Sequence, residues 1–172
     1  MPETKLLLPK FLTQGMAKEV MLQVAQIVTN THPLCSDLKR AMFHIVVLVP
    51  GVVLEAGKYP NNPVQPHLLA EHSQGDKKLW SHDYADIARC KALQLWHDRN
   101  DGGAAIKPHL LFPGETPFWG GVKRDGIVVA CSGVQPWFDR MIAGMVADIC
   151  IAYAMQRYEI SKDKEEGVDF LT

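Results

Sequence analysis

Apolar residues at Met16, Val20, Val24, Ile27 and Val28 repeat with the 3.6-residue period of a helix that buries one stripe. A helix is therefore predicted over 14–29, with Thr13 as its N-cap. Two β-rich runs follow, 43–49 and 52–56, split by Pro50-Gly51; proline presets φ and glycine permits its inversion, so the pair predicts a hairpin turn. Residues 59–78 carry Pro60, Pro63 and Pro66 among polar side chains and predict a long connection, with a helical turn near 67–71. Ser81 is placed to cap a second helix running to His97, with Asp83 and Asp86 in its first turn where the helix dipole favours them. Two further apolar runs, 117–123 and 127–132, flank Asp125-Gly126, a strong two-residue hairpin signal. Pro136 then opens a last helix over 136–158, whose apolar face is set by Phe138, Met141, Ile142, Met145, Val146, Ile149 and Tyr153. Helix, hairpin, helix, hairpin, helix is the order of an α/β single domain in which one antiparallel sheet of two hairpins is covered by helices. The core is expected over 14–158, with a loosely ordered tail at 159–172.

A chain of 172 residues, 47% of them hydrophobic, is long enough to bury a core as one domain. Its 18 basic and 19 acidic side chains nearly balance and form no basic stripe, which argues against nucleic acid as a partner. Asp139, Arg140 and Asp148 interrupt the most apolar helix, so a core helix is expected and no membrane span. Leu6-Leu7-Leu8 is too short for the apolar region of a signal peptide. The cysteines at 35, 90, 131 and 150 are scattered without a CxxC pair, the pattern of reduced, mostly buried thiols in a cytoplasmic protein.

Lys91 is the charged residue that asks most of the fold. It shares a helical face with Tyr84, Ala88, Ala92 and Leu95, and a buried ammonium needs a partner. That partner is either a core carboxylate or the carboxylate of a ligand. Ser132-Gly133, between a strand and a helix, reads either as a turn and cap or as a cradle of backbone N–H groups for an anion. Gly114, Gly120 and Gly121 lack the strand–turn–helix context of a dinucleotide fingerprint. Seven histidines show no zinc spacing; His109, His32 and Cys35 are weak candidates for a metal centre, and His44 is expected to pack within a strand. Trp80, Trp96, Trp119 and Trp137 either line a pocket for a flat ligand or fill core and interface.

Gly114, Pro117-Phe118, Ser132-Gly133 and Asp139, with Arg89, Lys91 and Ala92 on the preceding helix, resemble the GlcG/HbpS-like family of haem-binding and haem-degrading-type domains, which includes the PduO C-terminal domain. The chain departs from that pattern at Glu115, Cys131 and Pro50-Gly51. The resemblance covers about 14–155 and implies profilin-like α-β-α layers, assembly as a homo-oligomer, and binding of haem, a related tetrapyrrole or another small anionic ligand. Carried onto this chain, the ligand site falls on Lys91, Gly114, Pro117, Ser132 and Gly133, with backbone N–H groups and one cation around the carboxylates. An enzyme using Lys91 on the same scaffold, or a structural adaptor without a small ligand, are the rival expectations.

Overall fold

A computed structural model of the chain describes residues 5–31, 34–38, 41–54, 63–99, 107–169 and 171, with backbone alone at 34 and 35. In chain order the elements are β1 (Lys5–Leu7), α1 (Gln14–Asn30), α2 (Leu34–Asp37), β2 (Phe43–Leu54), β3 (Val64–Gln74), α3 (Tyr84–Trp96), β4 (Gly121–Arg124), β5 (Ile127–Ser132), α4 (Pro136–Glu159) and α5 (Lys162–Glu166). The five strands form one antiparallel sheet organised on β2. β3 pairs along one edge of β2, while the other edge is shared by β5 at 44–48 and β1 at 52–54. β4 lies outside β5, joined to it by Asp125-Gly126, where both residues have positive φ (45° and 82°), as the sequence predicts for this tight turn.

Helices cover both faces. On one side α1 and α4 pack on Phe43, Ile45, Val47 and Val49 of β2 and on Ile127, Val129 and Cys131 of β5. The alternate residues Val46, Leu48, Val128 and Ala130 point to the other side and pack under α3 at Ala88, Ala92 and Leu95. Seven consecutive residues, Phe43 to Val49, are therefore buried, because a strand covered on both faces needs an apolar residue at every position. The expected helix-covered antiparallel sheet is present, in three layers.

The hairpin expected at Pro50-Gly51 does not form. β2 runs straight through both residues, and its partner is β3, which lies in the stretch expected to be a loop. On the β5/β1 edge, positions 49–51 fall between the two partners, and on the other edge Pro50 faces Pro66, so neither strand loses an N–H the other could have given. β3 is an edge strand with a half-exposed pattern and a bulge opposite Val47/Leu48, which is why its prolines and polar residues read as loop. Residues 55–62 and Gly102-Gly103 lie outside the described residues.

Thr13 caps α1 by accepting from the Met16 N–H, as expected. Asp83 rather than Ser81 caps α3, its carboxylate accepting from the Asp86 N–H, while the Ser81 hydroxyl meets that of Tyr84 at 2.9 Å. The buried stripe of α4 is Asp139, Ile142, Ala143, Gly144, Val146, Ala147 and Cys150. This stripe is rotated from the expected one, since small side chains let α4 lie close to the sheet and leave Tyr153 47% exposed. The tail at 162–166 makes one short helix capped by Ser161.

Gly133 carries the turn from β5 into α4 with φ +138°, and a Cβ there would stand 2.3 Å from the Met42 carbonyl oxygen and 2.6 Å from the Phe43 Cα. Gly114, with φ +89°, faces open space. Gly133→Ala should therefore lose about 3 kcal/mol or more and Gly114→Ala only about 1–2 kcal/mol. Urea unfolding of the two variants checks the order; equal losses would contradict it.

Candidate functional site

Three of the expected site residues converge. α3 carries Lys91 on its buried face, and its stem passes beyond the end of β5 to reach the first turn of α4. The Lys91 Nζ donates to the Cys131 carbonyl at 2.9 Å and to Asp139 Oδ2 at 2.9 Å. Both partners of the ion pair are essentially out of solvent, with side chains 2% and 3% exposed. The core-carboxylate reading of Lys91 is thus what the fold shows. Asp139 Oδ1 accepts from the Val134 N–H at 3.2 Å. Asp139 stands in the first turn of α4, where the helix dipole favours a carboxylate.

The ion pair forms the floor of a cavity of about 210 Å³ between α3, the 118–119 segment and the Gly133 turn. Ser132, Gly133 and Tyr84 complete the buried floor, while Ile87, Trp119, Val134 and Pro136 give apolar walls, and Phe118 and His82 stand at the exposed rim. Ser132 is 5% exposed. Strand alternation sends its side chain to the α3 side, with Ala130 and Val128. Its hydroxyl has no partner among the described residues, and neither does the third N–H of Lys91, an ammonium that carries three donors. Two unused donors therefore meet one apolar-walled cavity.

Burial pushes the Asp139 carboxyl up to about 6, against the pull of Lys91 and the Val134 N–H in the other direction. The neighbouring Cys131 thiol is pushed well above its usual range, first by burial and then by the Asp139 carboxylate, so it is an inert neutral group here. Deeper on the same side of the sheet, His44 lies opposite Ser132 and bonds Ser73 through Nδ1 at 2.8 Å. Burial lowers its pKa despite Glu71 nearby, and Arg89 grips that Glu71 through two hydrogen bonds. This is a packed polar network, as expected for His44.

The remaining expected site residues stand elsewhere. Gly114 shapes the turn in which the Glu115 N–H bonds the Phe112 carbonyl, and Glu115 ion-pairs with Arg99. Pro117 is exposed beside Phe118 and does not line the cavity. Their part is indirect. Gln94 Nε2 donates to the Thr116 carbonyl and the Thr116 N–H to Cys90 Sγ, and these bonds clamp the segment onto α3 so that Phe118 and Trp119 reach the rim. His109 lies exposed on a single 3-10 turn away from the cavity. His32 and the side chain of Cys35 lie outside the described residues. Among the described residues no cluster of three or more His, Cys, Asp or Glu side chains is placed to hold a metal ion, and no helix is long and apolar enough to cross a membrane. Cys90, Cys131 and Cys150 are free thiols.

The sequence shows Asp139 as a charge interrupting the last helix but does not name it as Lys91's partner. The signal was available: 139, 142, 143, 146, 147 and 150 share one helical face, so an acidic residue in that series must be buried and paired. His82 and Tyr84 as lining residues carried no such signal, because only the packing of α3 against the 118–119 segment makes the cavity. No family model, no curated protein and no solved structure matches the chain.

Removing the cation leaves a buried carboxylate unpaired, so Lys91→Met should destabilise the fold by about 3–5 kcal/mol, and Lys91→Met/Asp139→Leu should recover most of it. Denaturant titration of both variants checks this, and a double variant no better than the single one would contradict it. Asp139 ordinarily titrates near 3.8 and in the fold near 6. Its contribution to stability is thus complete below the lower value and lost as pH rises through the upper one. The stability of the native chain relative to Asp139→Asn should accordingly fall by on the order of 3 kcal/mol between about pH 4 and 7; a difference constant with pH would refute the shift.

Proposed function

We propose that this chain is a binding domain for an organic carboxylate, of the kind the GlcG/HbpS-like resemblance implies. The observation that carries the reading is the pair of unused donors, the third Lys91 N–H and the Ser132 hydroxyl, facing a cavity with apolar walls. Pockets that fix a ligand combine such walls with a few convergent polar groups. Donors without acceptors select a ligand rich in acceptors, and a carboxylate is the group that an ammonium and a hydroxyl recognise together.

The cavity, about 210 Å³, is smaller than the roughly 300–1,000 Å³ that encloses a drug-sized ligand. It suits a small acid, or one propionate arm of haem or a related tetrapyrrole. In the second case the macrocycle would rest on the rim against Phe118 and Trp119, with His82 the imidazole at hand; haem would supply the redox chemistry of its iron. The expected ligands His109, His32 and Cys35 have no described place on that rim.

Self-association belongs to the same reading. Leu6 and Val53 are cross-strand partners, 44% and 47% exposed, at the β1 end of the sheet, where Val64 is 54% exposed. Exposed apolar side chains at this end of the sheet, on strands along both edges of β2, favour a homo-oligomer.

Titration of the purified chain with benzoate and, separately, with haem distinguishes the two sources of carboxylate. Saturation by benzoate at one per chain without a Soret shift on adding haem marks a free acid; a saturable Soret shift that benzoate competes away marks a propionate. Ser132→Ala should weaken whichever ligand binds about 10-fold, the worth of one hydrogen bond to a charged group, and leave the fold intact. Failure of both ligands to saturate would overturn the reading.

A further inference from the structure

We propose that the cavity takes up a monocarboxylate together with one proton, the ligand's carboxylate pairing with Lys91 and the proton going to Asp139. The inference rests on the carboxylate-binding reading above and adds its charge type and regulation. The apolar walls at Ile87, Trp119, Val134 and Pro136 accept an apolar body, and among the described lining residues Lys91 is the sole ammonium or guanidinium group, so a second ligand charge finds no further partner among them. A dicarboxylate or a phosphate is disfavoured on that ground.

The proton follows from charge balance on the floor. Lys91 and Asp139 form a neutral pair 2.9 Å apart and cut off from solvent. A ligand carboxylate on the third Lys91 donor places two carboxylates on one buried ammonium, an arrangement in which both cannot remain ionised cheaply. One proton from solvent resolves it, and no bond other than that O–H is made or broken. Asp139 is the acceptor because it is only 2% exposed, at the floor of the cavity, and already holds its proton to higher pH than an ordinary acid. The other titratable groups facing it are Lys91 from α3, Cys131 from β5 as a neutral thiol, and Tyr84 at the floor, while His82 stands at the rim. The His82 imidazole is the rival proton acceptor on the described lining, so the test separates it from Asp139.

Calorimetric titration of benzoate into the full chain, in buffers of different ionisation enthalpy from about pH 5.5 to 8, tests this. The expected result is uptake of about one proton per benzoate near pH 7.5, falling toward zero below pH 6, with Kd rising about 10-fold per pH unit above about 7. Asp139→Asn should abolish the proton uptake, and His82→Gln should retain it. Should Asp139→Asn not fold, the buffer dependence of the native chain decides alone. Saturable binding with buffer-independent heat and a constant Kd would overturn the coupling and leave the carboxylate site standing. Uptake lost in His82→Gln would reassign the proton and overturn the assignment to Asp139. Absence of saturable binding at every pH, for benzoate and haem alike, would remove the site itself.

Discussion

One buried ion pair holds the two helical layers of this fold to each other. α3 lies on one face of the sheet and α4 on the other, so their side chains cannot meet through it; Lys91 reaches around the end of β5 to Asp139 instead. Removing two charges from water costs several kcal/mol each, and close geometry with every lone pair and proton satisfied is what offsets it. Asp139 meets that condition, with Lys91 on one oxygen and the Val134 N–H on the other. Lys91 meets it only in part, since one of its donors is left over, and the cavity lies where that donor is.

The glycines around the pair follow from it. A Cβ on Gly120 would stand 2.5 Å from the Asp139 Cβ, and one on Gly121 would stand 2.5 Å from Leu95 Cδ1 and 2.8 Å from the Val129 carbonyl oxygen. These two positions are where the chain passes between α3 and α4 to begin β4, and a side chain at either would push the helices apart and stretch the ion pair. The neighbouring 112–119 segment has no sheet or helix of its own. Its position depends on side-chain hydrogen bonds from Gln94 and Cys90, and through Glu115 on Arg99. The aromatic rim of the cavity is therefore only as well placed as α3 itself.

The sequence made legible whatever is local. The 3.6-residue stripe of α1, its Thr13 cap and the Asp125-Gly126 turn each follow from side-chain chemistry within a few residues, and each stands where expected except Ile27 of the stripe, which is 41% exposed. Lys91 was also legible as a charge needing a partner, because burial of its helical face was readable. What escaped was set by partners distant in sequence. Pro50-Gly51 has the chemistry of a turn, yet β3 on one side and a gap between β5 and β1 on the other let a straight strand absorb both residues. The cavity escaped for the same reason, since its walls come from three separate stretches of chain and no one of them shows a concave surface.

The geometry also places the unused donors of the proposed anion site on side chains and not on the backbone. A glycine turn leading into a long helix suggests a cradle of N–H groups, and the helix dipole would favour an anion there. In this fold the first turn already holds one: the carboxylate of Asp139 takes the Val134 N–H and places its own charge at the helix start, and Pro136 has no N–H to offer. Gly133 serves the close approach of the turn to Met42 and Phe43 instead. In the proposed reading, recognition thus depends on two side-chain donors at the floor, the Lys91 ammonium and the Ser132 hydroxyl. An anion taking them as proposed would compete with Asp139 for the same ammonium, which would tie its affinity to the protonation of that carboxylate, while the glycine turn shapes the cavity without supplying its charge.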